Sequence, residues 1–322
     1  MSPSGGAVLG RVRRLRPADF GIVWVTVALF VLLSQTSDVF LTAVNLRNVL
    51  DQQALLLIAG SALTLTLISG HFDISVSASH INAAIVTALI ANESGSAVAA
   101  IAGGVAIGAA FGLLNGVVVA WVRINSFIAT LATSFVFYGV GFLLSDRSII
   151  RIADRGFSEV ARGRSAGVTN ATWIAVAVVV VFWVLLERTR FGRHVFAAGG
   201  NPEAARLAGV RVEGIVLATF LLSGAAAGLS GALSASKTLT AQPSDDFSFV
   251  FAVLTAVIVG GTSIAGGEGA VWRTVFGAFF TAFMLNGFNL HQIDPIVQRL
   301  IQGSVILVAV AADNWTRRRR SA

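Results

Sequence analysis

The stretch SAVAAIAGGVAIGAAFGLLNGVVVAWV, residues 96–122, carries no charged side chain. A bilayer's hydrocarbon core is about 30 Å thick and takes roughly 20 apolar residues to cross as a helix, so this run is long enough to span. Within it glycine recurs at every fourth position, at Gly104, Gly108, Gly112 and Gly116. That spacing keeps the glycines near one helix face, and small residues let a second helix approach closely where lipid gives association no hydrophobic drive. The ladder predicts a packing surface. Gly224, Gly228 and Gly231 repeat the theme later in the chain.

Working outward, the rest of the sequence has the same character. Of 322 residues, 55% are hydrophobic and only 12% charged, about half the charged fraction of an ordinary soluble domain. Ten apolar segments are expected to span, at 20–36, 54–69, 74–91, 96–122, 127–144, 171–186, 215–236, 247–259, 271–287 and 293–312. The fold class is therefore all-α, a single polytopic membrane domain over 20–312. Short basic tails are expected at 1–19 and 313–322.

The net charge of +7 would suggest nucleic acid in a soluble chain. Here the arginines sit at the ends of apolar segments, which the positive-inside bias explains without a nucleic-acid partner. Arg11, Arg13, Arg14 and Arg16 before the first segment, and Arg317 to Arg320 after the last, place both termini in the cytoplasm and require an even number of spans. Alternation then puts Arg123, Arg188, Arg190, Arg193, Arg206, Arg211 and Arg273 inside as well. The loop 145–170 breaks the pattern: it falls outside yet holds Arg147, Arg151, Arg155, Arg162 and Arg164. No A-x-A-like cleavage site follows the first apolar segment, so it reads as a retained helix.

Several chemistries find no support. The chain has no cysteine, so disulfides and thiolate sites are excluded. A phosphate-binding loop needs glycine before its lysine, and the single lysine, Lys237, follows Ser236. His71, Asp73 and His80 imitate a metal cluster, but nothing fixes a third-ligand geometry, and no metal site is expected.

The most informative polar segment is the loop 188–213. Asn201 can cap a helix with Pro202 at its first position, Glu203 in its first turn and Gly209 at its end. Read on its own, this is a short helix outside the membrane, either a solvated connector or a docking element. Gly209 would serve a docking element through close approach or through a turn that glycine alone adopts cheaply.

The stretch TRFGRHVFAAGGNPEAARLAGVRV, residues 189–212, resembles the signature of permease subunits of ABC importers for ribose, xylose, galactosides and related sugars. Glu203-Ala204-Ala205 followed by Gly209 also fits the E-A-A-x-x-x-G docking spacing of bacterial importer permeases. The resemblance extends through Phe40-Leu41-Thr42 with Asn45-Leu46, Phe72-Asp73-Ile74-Ser75-Val76, Leu114-Asn115-Gly116 and Phe127-Ile128-Ala129-Thr130-Leu131. It continues in Val259-Gly260-Gly261-Thr262-Ser263 with Gly266-Gly267, then Asn286-Gly287 and Gln302-Gly303. The chain departs from the family pattern at Ser77, Ser126, Val250 and Ala252.

The resemblance implies a bacterial inner-membrane permease working as two copies or a related pair. A separate ATPase would use ATP and Mg, and an extracytoplasmic binding protein would deliver solute. No cofactor and no catalysis are expected in this chain. ATPase coupling would fall to Gly192, Arg193, Gly199, Gly200, Asn201, Pro202, Glu203, Ala204, Ala205, Arg206 and Gly209.

A pathway for a polyhydroxylated solute needs polar groups within hydrocarbon, which are costly there and usually face a cavity or another helix. Ser75, Ser79 and Asn82 share one helix face at i, i+4, i+7, and Asn115, Asn286 and Asn289 add amides on two other segments. Each can line the path or simply tie helices together. Asp294 and Arg299 are expected to form an ion-pair anchor near the outer end. The Gly-containing ends at Ser69-Gly70 and Gly260-Gly261 fit either interrupted helices or surface turns. The rival readings are a branched-chain amino-acid permease, an ion-coupled secondary transporter and a membrane enzyme; the latter two would want ionisable groups at mid-membrane, where no expected span holds a carboxylate.

Overall fold

A computed structural model describes residues 20–321, so Arg11, Arg13, Arg14 and Arg16 lie outside the described residues, as do the side chains of Arg317 to Arg320. The helices are α1 (Gly21–Thr36), α2 (Ala43–Ile68), α3 (Val76–Ser94), α4 (Ala97–Ala120), α5 (Ser126–Leu144), α6 (Glu159–Arg162) and α7 (Asn170–Arg188). They continue with α8 (Arg190–Gly200), α9 (Pro202–Leu207), α10 (Val212–Thr238), α11 (Ser248–Val259), α12 (Val271–Leu290) and α13 (Pro295–Ser321). Four two-residue strands are interspersed: β1 (Ile150–Arg151), β2 (Arg164–Ser165), β3 (Val168–Thr169) and β4 (Thr240–Ala241). Each of the ten apolar segments coincides with a helix. Five of these, α2, α4, α5, α7 and α10, are long and apolar enough to cross a membrane by length and composition.

The helices divide by how they meet their surroundings. Along α2 and α10, 78% and 61% of the most apolar window is buried, against 28% for α4 and for α7. The first pair forms the centre of the bundle with α3, whose Ser77, Ser79, Asn82 and Thr87 are all buried. That polarity keeps α3 below the hydropathy of a lipid-facing helix, and packing inside the bundle is what makes it tolerable. Exposed Val98, Leu113, Phe135, Val136, Val180 and Val181 give α4, α5 and α7 an apolar outer surface.

The two glycine ladders pack on each other. A side-chain carbon added at Gly108 would collide with the Gly224 carbonyl and lie 2.7 Å from the Gly228 α-carbon. One at Gly112 would strike the Phe220 carbonyl, and one at Gly116 would lie 2.9 Å from Leu217. Gly104 faces Thr87 and Ala232. Helices α4 and α10 thus touch backbone to backbone, which only glycine permits.

Helix α2 begins eleven residues before the expected apolar segment, capped by Thr42, which accepts from the Asn45 amide at 3.3 Å. Its polar first turns are paired rather than solvated: Asn45 with Asn286, and Asp51 with Lys237 at 2.5 Å. Helix α13 continues without a break past residue 312 to Ser321. The expected ion-pair anchor is not formed. Asp294 Oδ1 instead accepts from the Ile296 amide at 2.7 Å, and no ion pair to Arg299 occurs among the described residues. A short acidic side chain at a helix start satisfies the exposed amides more directly than a partner five residues on.

Between α5 and α7 the chain folds into a small cap. Strand β1 pairs antiparallel with β4, Ile150 opposite Ala241, and β2 pairs with β3, Arg164 opposite Thr169. Ser236 at the end of α10 donates to the Phe157 carbonyl at 2.8 Å and accepts from the Ala161 amide at 3.1 Å. Asn92 donates to the Arg151 carbonyl and accepts from the Ala153 amide, at 2.8 and 3.0 Å. Ile152, Phe157 and Ala161 are buried beneath.

Candidate functional site

The loop 188–213 forms two helices. Thr189 caps α8 by accepting from Gly192 at 3.3 Å, and Asn201 caps α9 by accepting from Ala204 at 2.9 Å with Pro202 in the first turn. Helix α8 is anchored to the bundle through Val195 and Ala198, both buried, and through two glycines. Gly192 abuts the Leu186 carbonyl, while Gly199 abuts the Ile68 carbonyl at the end of α2. A side-chain carbon at Gly199 would also lie 2.9 Å from the Gly267 nitrogen, and Gly267 itself donates to the Ile68 carbonyl at 2.8 Å. The end of α2, the end of α8 and the glycine turn at 266–267 therefore meet at one joint. Gly70, Gly266 and Gly267 all have positive φ there, conformations that favour glycine.

Helix α9 stands away from the bundle. Glu203, Ala204, Arg206 and Ala208 are exposed, and only Ala205 turns inward. Leu207 is 92% exposed, the most exposed large apolar side chain among those described. Nothing in the sequence pattern singles it out; its meaning comes from projecting into open space at the end of a polar helix. Arg206 donates from both Nη2 and Nε to the one oxygen Glu213 Oε1, at 2.8 and 3.1 Å, which ties the segment to the start of α10. Gly209 has φ +83° and open space where a side chain would go. Of its two conceivable roles, the turn is the one this geometry requires. Arg193 and Gly200 of α8 are exposed as well.

Inside the bundle, Asp73 is the hub of a polar cluster that draws on four elements. Its Oδ1 accepts from the Ser75 amide and hydroxyl at 3.1 and 2.6 Å, and its Oδ2 accepts from Ser223 of α10 at 2.7 Å. Asn115 of α4 donates to the Ser75 hydroxyl at 2.7 Å and accepts from Thr133 of α5 at 2.7 Å. Asp73, Ser75, Asn115 and Ser223 are at most 1% exposed. A buried carboxylate persists only with such donors around it. His71 and His80 do not join it: His71 lies 2.9 Å from the Ser69 carbonyl, and His80 contacts Ser230 at 3.0 Å and packs on Phe249.

The six polar residues expected along a pathway fall in three places. Ser75 and Asn115 belong to the Asp73 cluster. Asn82 donates to the Ala78 and Phe137 carbonyls at 2.9 and 2.8 Å, while its carbonyl oxygen and the Ser79 hydroxyl are buried without a hydrogen-bond partner among the described residues. Asn286 exchanges hydrogen bonds with Asn45 at 3.0 and 2.8 Å, and Asn289 accepts from Gln298 at 3.2 Å. Two departures from the family pattern are structurally active. The Ser126 hydroxyl accepts from the Phe72 amide at 3.0 Å, and Ser77 donates to the Asp246 carbonyl at 2.8 Å. The Asp246 carboxylate, just before α11, accepts from the Ser248 hydroxyl and amide, and these bonds hold its pKa below the usual carboxylate value.

The described residues thus form a bundle of apolar helices with one short, exposed, capped helix beside a glycine joint. The chain belongs to the family described as branched-chain amino acid transport system / permease component, whose model matches residues 45–310. Among curated relatives, it is 34% identical to the ribose import permease protein RbsC of Escherichia coli K12, over 89% of this chain and 90% of that protein. It is 34% identical to the L-arabinose ABC transporter permease protein AraH of Azospirillum brasilense, over 94% and 89%. With the D-allose transport system permease protein AlsC of Escherichia coli K12 it shares 29% identity, over 92% and 94%. No solved structure matches.

Proposed function

We propose that this chain is the transmembrane permease subunit of an ATP-driven importer for a small sugar or polyol, set in a bacterial inner membrane with ten spans and both termini cytoplasmic. Similarity over 89–94% of the chain with permeases named for ribose, L-arabinose and D-allose is the observation that carries the reading. In this account an ATPase chain holds ATP and Mg and docks on α9, an extracytoplasmic binding protein delivers solute, and a second permease copy completes the pore. ATP binding draws the ATPases together and favours one permease state, and hydrolysis restores the other.

The geometry gives the docking segment two distinct faces. Glu203 and Leu207 are exposed, while Gly192 presses α8 on the end of α7 and Gly199 presses it on the end of α2. The chain runs on from that joint through His71 into the Asp73 cluster, so movement of α8 has a continuous packed route to α3, α4, α5 and α10. Ser75, Ser79, Asn82, Asn115, Asn286 and Asn289 are the candidate pathway groups. The unpartnered Ser79 and Asn82 oxygens favour contact with water or solute hydroxyls over pure packing. A branched-chain amino acid is the second reading, favoured by the family's description.

The test uses Glu203→Lys and Leu207→Glu in the assembled importer, following ATPase association and hydrolysis separately. Weaker association with the permease still inserted supports docking through α9. Normal association and coupling in both variants would make the segment a connector.

A further inference from the structure

The segment between α10 and α11 starts at the cap and ends inside the bundle. At the cap, its β4 pairs with β1. Deeper in, the Asp246 carbonyl accepts from Ser77 of α3 at 2.8 Å and from Tyr138 of α5 at 3.1 Å. Tyr138 lies six residues before Leu144 at the end of α5, about 9 Å back along the helix at 1.5 Å per residue. A second ruler agrees. Phe249 packs on His80, His80 contacts Ser230 at 3.0 Å, and Ser230 lies six residues, again about 9 Å, before the Ser236 that touches the cap. Helix α5 has 19 residues, about 28 Å, close to the thickness of a hydrocarbon core. The turn into α11 therefore lies roughly 9 Å inside that core, and α11, with 12 residues, supplies only the remaining part of the crossing.

This buried depth carries an open face. Asp245, Asp246, Ser248 and Phe251 are exposed, as is Phe135 of α5 beside them. The Phe247 ring lies 5.9 Å from Phe135, 5.2 Å from Tyr138 and 6.5 Å from Phe251, so aromatic rings form a ledge next to two carboxylates. The Asp246 carboxylate is occupied by Ser248, while Asp245 has no hydrogen bond or ion pair among the described residues. Irregular backbone at hydrocarbon depth faces protein or a water-filled cavity, never lipid. A carboxylate without a partner there selects the water. Both acids lie outside every apolar segment of the sequence, so they become intramembrane groups only once the segment is folded inward.

We propose that this face is a solute-contact wall of the transport pathway, with the rings of Phe135, Phe247 and Phe251 under the C–H face of a sugar and the Asp245 carboxylate accepting from its hydroxyls. An apolar aromatic surface with a few placed polar groups is the usual make-up of a small-molecule site. The proposal rests on the importer reading and adds to it residues that none of the candidate pathway amides and hydroxyls includes.

Two measurements on the reconstituted importer test it. In the first, Asp245→Cys and Phe251→Cys permeases, each with the chain's only thiol, meet a membrane-impermeant methanethiosulfonate with and without a non-hydrolysable ATP analogue. Val181→Cys, on the exposed apolar face of α7, is the control. Both pathway thiols should label at least about tenfold faster than the control in one nucleotide state, since the reactive thiolate needs water. Labelling no faster than the control at both positions in both states would overturn the proposal.

The second measures the maximal uptake rate of labelled ribose, arabinose and allose at saturating loaded binding protein. Asp245→Asn should lower it about tenfold through the lost charge-assisted bond. Phe251→Leu should lower it about fivefold, and Phe251→Trp, which keeps an aromatic face, should stay within about twofold of wild type. ATPase association should be unchanged in all three. Wild-type rates in both Asp245→Asn and Phe251→Leu would overturn the contact alone and leave the importer reading intact. A wild-type complex that accumulates none of the sugars would overturn the importer reading and this proposal with it.

Discussion

Replacing Gly108 with alanine is the sharpest probe of how the bundle is held. The added carbon would collide with the Gly224 carbonyl and lie 2.7 Å from the Gly228 α-carbon, where ordinary contact begins near 3.4 Å. Both obstacles are backbone, so no rotamer change relieves them, and the tighter one, the Gly224 carbonyl, requires α4 and α10 to part by about 1 Å. A gap of that size forfeits a quarter to a half of the dispersion energy of each contact along the seam. Overpacking of this kind costs about 1–3 kcal/mol, and rigid surroundings put this site at the upper end, against a gain of about 1 kcal/mol from replacing glycine in a helix. The net expectation is a loss of about 2 kcal/mol. Gly139 of α5 is the control: nothing lies within 4 Å of its added carbon, so Gly139→Ala should be neutral or stabilise by up to about 1 kcal/mol. Denaturant unfolding of the detergent-solubilised permease measures both. Equal stability of the two variants would refute the backbone-to-backbone seam.

Gly209→Ala retains space but forces a left-handed turn, at roughly 1–2 kcal/mol, and should weaken ATPase association by about tenfold in surface-immobilised binding. Asn115→Leu removes one hydrogen bond each from Ser75 and Thr133, which keep Asp73 and the Thr130 carbonyl as partners, at about 0.5–1.5 kcal/mol per bond, and uptake per assembled complex should fall by tenfold or more. Asn82→Leu and Asn286→Leu, compared in the same uptake and assembly measurements, report whether the amides serve transport; uptake that tracks assembly in all three would make them packing groups.

The helices were legible because a bilayer imposes a length, and ten apolar runs satisfy or approach it. The glycine ladders were legible as packing surfaces, but not as each other's partners, because sequence gives a face and not its neighbour. The first turns of α2 were hidden by Asn45, Arg47, Asn48, Asp51 and Gln53, which read as a polar loop until Lys237 and Asn286 are brought alongside. The α9 cap followed directly from Asn201-Pro202-Glu203, a local rule. The Asp73 cluster did not, since Ser223 lies 150 residues away in sequence. Leu207 was missed because exposure is a property of the folded surface alone.

The central claim is tested most directly by solute accumulation in proteoliposomes. Permease, ATPase and binding protein are reconstituted together, with labelled ribose, arabinose and allose, then leucine, offered in turn. The account predicts that at least one sugar accumulates against its gradient, that accumulation needs both ATP and the binding protein, and that leucine does not substitute. Uptake by the permease alone, driven by an ion gradient without ATP, would contradict it.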